Sequence, residues 1–76
     1  MKFEYSSHWA RQRKYRPEIT DDIIEQYISN SDKLLDRDYV NTFNAIAKIY
    51  PSGRTLKVAY KEKSKTIKII TAYWLD

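Results

Sequence analysis

The chain has 76 residues and a formal net charge of +4, with no cysteine, one histidine, one glycine, 42% hydrophobic residues and 14% aromatic residues. These figures exclude a disulfide framework and a thiolate zinc site, a disordered composition, and any apolar run near the roughly 18 residues that span a bilayer. A chain this short buries only about 60% of its unfolded surface, so one small domain over residues 1–76 with a closely patterned core is expected. Residues 1–14 lack the apolar core of a signal peptide, and a soluble, cytoplasmic protein is the expectation.

Residues 2–5 alternate polar and apolar side chains, which predicts a short strand. Ser6 and Ser7 offer N-caps, and the run His8 to Tyr15 has good helix formers and no breaker, so a first helix is expected there. It ends before Arg16-Pro17, since the residue preceding proline is pushed out of the helical region. Trp9 is expected in the core. A second helix starts at the Thr20 cap, with Asp21 and Asp22 complementing the helix dipole. Ile19 and Ile24 stand at the two positions of a hydrophobic staple, and Ile23, Ile24, Tyr27 and Ile28 form the buried stripe. Ser29-Asn30-Ser31 stops the helix.

After that the period changes from 3.6 to 2. A strand is predicted near 33–39, another over Phe43–Tyr50, a turn at Pro51-Ser52-Gly53, a strand over Thr55–Lys61, a polar turn at 61–65, and a last strand over Thr66–Trp74. Short connections between strands predict antiparallel neighbours. The expected fold is α+β, with two N-terminal helices packed on a C-terminal antiparallel sheet of three to four strands. Continuous alternation puts Phe43, Ala45, Ala47, Ile49, Leu56, Val58, Tyr60, Ile67, Ile69, Thr71 and Tyr73 on the buried face. The opposite face carries Lys48, Lys57 and Lys68 on successive strands, near Tyr50, Thr55, Lys61 and Thr66, together with Ile46, Ile70 and Trp74. A face mixing lysines with aliphatic and aromatic groups suits a covering partner.

The charge is segregated. Residues 1–16 hold five cations against Glu4, residues 17–38 hold seven carboxylates against Lys33 and Arg37, and residues 39–76 hold seven cations against Glu62 and Asp76. If the two basic segments meet, they form a polyanion-binding patch; the plain alternative is a solvated surface. An arginine-rich helix, a lysine-lined sheet and exposed tyrosines together match nucleic-acid contact, with phosphates on the cations and bases on the rings. Arg11, Arg13, Lys48, Lys68 and Tyr50 are the candidate binding residues. No P-loop, dinucleotide fingerprint or nucleophile elbow is present, and no metal or other cofactor is expected. His8 is the only side chain whose ordinary pKa lies near neutrality. Beside arginines it suits acid–base work or phosphate contact, or else a structural bond to a nearby carboxylate or cap.

The segment from Ser7-His8-Trp9-Ala10-Arg11 through Tyr15-Arg16-Pro17-Glu18-Ile19-Thr20, with Leu56 to Tyr60 and Ile67 to Tyr73, resembles small toxin domains of the BrnT type and the broader RelE/ParE-like superfamily. The resemblance implies an antitoxin-neutralised toxin, commonly an endoribonuclease, with its site between helix and sheet. His8 matches the family's early helical histidine and Arg16 its later arginine. Gln12 stands at the intervening arginine's spacing, Ser7-His8 replaces the Lys-His pair of BrnT toxins, and lysines replace strand arginines. Metal-free RNA cleavage needs a base for the 2′-OH, cations on the phosphorane and an acid for the 5′-oxygen. The expected catalytic set is His8 as base or acid, Arg16 with Arg11 or Arg13 and Lys57 as phosphate clamps, and Tyr60 or Tyr73 as proton donor. The partners expected are RNA and an acidic antitoxin. The alternatives are a non-catalytic module binding nucleic acid or protein on the same fold, and a toxin acting on gyrase.

Overall fold

The computed structural model describes residues 2–30, 34–36, 41–50 and 52–75. In chain order these form β1 (Lys2–Tyr5), α1 (Ser7–Gln12) continued by a 3-10 turn (Arg13–Tyr15), α2 (Asp21–Asn30), β2 (Leu34–Leu35), β3 (Thr42–Ile49), β4 (Arg54–Lys63) and β5 (Thr66–Trp74). The strands make one five-stranded sheet in the order β1-β5-β4-β3-β2. The pairs β5–β4, β4–β3 and β3–β2 are antiparallel, whereas β1 lies parallel to β5. Among the described residues no helix is long and apolar enough to cross a membrane.

This architecture corrects the expected two-helix layer on a three- to four-stranded antiparallel sheet. The sheet is five-stranded and mixed, and about half of the described residues are strand. Two physical reasons account for the difference. Residues 2–5 satisfy the otherwise free edge of β5, the pairing that a sheet edge seeks, and the whole intervening chain serves as the crossover that a parallel pair requires. The first helix is too short to form a layer, because α1 has six residues and buries only Trp9. Of the strand expected near 33–39, Leu34 and Leu35 are extended and pair with β3, while residues 31–33 and 37–40 lie outside the described set.

Helix α2 forms as its sequence dictates. The Thr20 hydroxyl accepts from the Ile23 amide at 3.3 Å, and Asp21 and Asp22 occupy the first turn, where they meet the positive end of the dipole. Ile19, Ile24 and Ile28 are buried, with Ile23 and Tyr27 packed at their margin. They cover the face of the sheet formed by Ala45, Ile49, Leu56, Val58, Tyr60, Ile67 and Ile69. Trp9 completes this core from α1. Each fully buried Ile, Leu or Val contributes roughly 1.5–3 kcal/mol relative to its exposed state. Phe43 and Tyr60, directly opposed on β3 and β4, add a tilted ring pair at 5.9 Å.

One irregularity changes the face assignments at the end of the chain. Ala59 pairs with Thr71 but Tyr60 pairs with Ile69, so Ile70 is an extra residue in β5. A bulge of this kind shifts the alternation by one. Before it, Ile67 and Ile69 face the core; beyond it, Ala72 is buried and Trp74 packs against the core margin. Thr71 and Tyr73, expected on the buried face, therefore turn outward, and Trp74, expected outward, turns in. Ser6 holds the bulge in place. Its amide donates to the Ile69 carbonyl at 2.8 Å, its hydroxyl donates to the Ile70 carbonyl at 2.6 Å, and the same oxygen caps α1 by accepting from the Trp9 amide at 3.0 Å.

Candidate functional site

The face of the sheet away from α2 can be read row by row from the strand register. Ile46, Lys57 and Tyr73 form one row, Asn44, Ala59 and Thr71 the next, and Thr42, Lys61, Lys68 and Glu4 the next. Lys48 with Thr55 lies at one end, and Lys63 with Thr66 and Lys2 at the other. Lys2, Lys48, Lys57, Lys61, Lys63 and Lys68 thus share a face with Glu4. Lys61 and Lys68 are directly opposed across β4 and β5, an arrangement that destabilises a sheet because like charges face each other at short range.

A cavity of about 350 Å³ lies on this face. Thr42 and Asn44 line it from β3, Lys57, Ala59 and Lys61 from β4, Ile70, Thr71 and Tyr73 from β5, and His8 and Asp36 from outside the long strands. The bulge at Ile70 and the Ser6 anchor are what join these elements. The bulge turns Tyr73 toward Lys57, whose Nζ sits 5.7 Å from the ring centroid, in range of a cation–π attraction. The anchor starts α1 against β5, so that Trp9 enters the core while His8, one residue earlier, lines the cavity. Within the cavity the Asn44 amide nitrogen donates to the Asp36 carboxylate at 3.2 Å. Beside it, Glu4, Lys61, Lys63 and Lys68 border a wider hollow of about 930 Å³.

Of the expected catalytic set, His8, Lys57 and Tyr73 line one cavity, and Arg16 does not. Arg16 is half-buried at the end of the 3-10 turn, with its Nη1 buried and without a partner among the described residues. Tyr60 is in the core, so it has no access to the site. Arg13, expected on nucleic acid, is engaged within the fold. It is paired with Asp21 and lies over the Tyr5 and Trp9 rings, at 5.3 and 5.8 Å. Arg11 is exposed on α1, one helical turn beyond His8. Lys48 and Lys68 are exposed on the lysine face outside the cavity, and Tyr50 is 73% exposed at the turn after β3.

Sequence reasoning missed Thr42, Asn44 and Asp36. The signal for the first two was present, as polar side chains in a strand whose other members are mostly apolar. The Asp36 carboxylate is indistinguishable in sequence from the acidic segment around it.

Two polar junctions hold the periphery. The Tyr5 hydroxyl donates to the Glu25 carboxylate at 2.5 Å. Burial, reinforced by that bond to an anion, pushes the Tyr5 phenol well above its ordinary value. At the opposite end the Trp74 indole N–H donates to Glu18 at 3.2 Å, and the Arg54 guanidinium stacks 4.2 Å from the Trp74 ring and 3.6 Å from Glu18. The backbone N–H of Glu18 itself, then the indole, hold this carboxyl below the usual range.

No protein-family model matches the chain, and no curated protein or solved structure matches it. Nothing in these comparisons identifies a BrnT-like or RelE-type domain.

Proposed function

We propose that the protein binds single-stranded RNA across the lysine face of its sheet, with a phosphodiester seated at the cavity mouth beside His8 and Lys57. The observation supporting this reading is the six lysines on one face, including the directly opposed Lys61 and Lys68. Such a pair is unfavourable in the free protein and favourable once phosphates lie between the ammonium groups. Tyr73 supplies a ring on which a base can stack, an interaction of about 1–3 kcal/mol that every base can make.

The test is fluorescence anisotropy of a labelled RNA decamer at several salt concentrations. Engagement of three or four lysines gives a log–log salt slope of about −2 to −3, since each phosphate contact on a single strand adds about −0.7. Lys57→Glu weakens binding. An RNA that does not bind at low salt overturns the proposal.

The lining of one cavity by His8, Lys57 and Tyr73 favours a second reading, metal-independent cleavage of the bound strand. In that chemistry His8 takes the 2′-OH proton, the 2′-oxygen attacks phosphorus, and Lys57 stabilises the added charge. The 5′-oxygen leaves with a proton from Tyr73 or water, giving a 2′,3′-cyclic phosphate and a 5′-hydroxyl end. Cleavage that survives EDTA and disappears in His8→Ala supports it. Bound but intact RNA refutes it and leaves the binding reading standing.

A further inference from the structure

We infer that the polar end of the cavity is a nucleobase subsite in which Asn44 reads an exocyclic amino group. The inference rests on the RNA-binding reading and adds to it a preference for particular bases. Asn44 is only 9% exposed, and its two amide atoms are in unequal positions. The nitrogen donates to Asp36 at 3.2 Å, which fixes the orientation of the amide, because an ionised carboxylate only accepts. The oxygen is buried and has no hydrogen-bond partner among the described residues. An unsatisfied buried acceptor costs about 1–3 kcal/mol, a cost that a donor in the cavity removes once a small shift of Asn44, which lines it, opens the oxygen to that donor.

The surroundings suit a flat heterocycle. Ala59 opposes Thr71 in the register and gives a small-residue floor beside Asn44, while Ile70 and Tyr73 supply an apolar wall and a ring. About 350 Å³ is at the small end of ligand-pocket sizes. Lys57 and His8 stand at the same cavity, so a nucleotide whose phosphate they hold carries its base toward Asn44. Adenine, cytosine and guanine present an amino group on their Watson–Crick edge, whereas uracil presents there an N3–H flanked by two carbonyl oxygens. The Asn44 oxygen therefore accepts from a base amino group, whereas uracil, to offer its N3–H, brings a carbonyl oxygen toward the Asp36 carboxylate that lines the same cavity.

The experiment uses the full chain and three labelled uridine decamers, one unsubstituted, one with a single central adenosine, and one with purine riboside there, which lacks only the amino group. The expected result is binding about tenfold tighter for the adenosine decamer than for the purine riboside one, with the ratio falling to one in Asn44→Leu. Because Asn44 is buried, the wild-type protein supplies a second readout. In an amide NMR titration the Asn44 side-chain NH₂ resonance moves with the adenosine decamer and stays in place with the uridine one. Equal affinity for all three decamers, or binding that leaves the Asn44 resonance unmoved, overturns the subsite and leaves RNA binding intact. Failure of all three to bind overturns both.

Discussion

The opposed pair Lys61 and Lys68 gives the sharpest test of why this sheet face exists. Directly opposite residues on an antiparallel pair have Cβ atoms about 4.5–5.5 Å apart, and two flexible ammonium groups can splay to roughly 7 Å. At that separation in water the repulsion is about 0.6 kcal/mol. Single substitutions mix this with other charges, since Lys68 also faces Glu4 on β1 and Lys61 lines the cavity with Asp36. A double-mutant cycle of Lys61→Gln, Lys68→Gln and the pair removes those other contributions. Urea denaturation at low salt is expected to give a repulsive coupling of about 0.5 kcal/mol. That coupling vanishes near 1 M salt, where the Debye length is about 3 Å. Relief of the repulsion alone corresponds to a rise in Tm of about 2–4 °C for a domain of this size. The same substitutions should each weaken RNA binding and reduce the salt slope by about 0.7. A coupling of zero or of attractive sign refutes the reasoning, as does a stabilised variant that binds RNA as tightly as the parent.

Ser6→Ala removes the α1 cap and the bond that anchors the bulge, so a loss of about 1–2 kcal/mol is expected, seen as a fall in Tm of roughly 5–10 °C. Tyr5→Phe removes the donor to Glu25 and costs about 1 kcal/mol by urea denaturation. In the parent, Tyr5 is held neutral, so its contribution is complete below the ordinary phenol pKa of about 10 and is lost as the pH rises through the elevated folded value. An ultraviolet titration should show one fewer phenol that ionises only on unfolding in Tyr5→Phe than in the parent. Glu18 has the opposite sign. Its folded pKa is depressed, so its contribution is present above the unfolded value of about 4.3 and is lost as the pH falls through the lower folded value. Glu18→Gln should flatten the acid limb of a Tm-against-pH profile in that window.

Local signals made much of this molecule legible. The Thr20 cap, the paired aspartates and the Ile24 and Ile28 spacing specify α2 within a dozen residues. Alternation specifies which side chains of β3 and β4 face the core, and with them Lys48 and Lys57 on the opposite face. What was not legible depends on distant partners. The pairing of residues 2–5 with 66–69 joins segments more than sixty positions apart, and no local pattern distinguishes a parallel neighbour from an antiparallel one. The bulge at Ile70 lies in a run of Ile, Thr and Ala with no glycine to mark it, so unbroken alternation put Tyr73 inside and Trp74 outside. Arg13 reads in sequence like its neighbour Arg11, and only the fold brings Asp21 to it.

The parallel pairing of β1 with β5 also sets an order of events during synthesis. Residues 2–5 are made more than sixty positions ahead of residues 66–69 and wait for them. Closing so long a loop is slow compared with forming the β4–β5 hairpin. Until it closes, Ser6 has no bulge to hold and His8 has no cavity to line. The nascent chain therefore displays its lysine hairpin before it possesses the histidine end of the cleft.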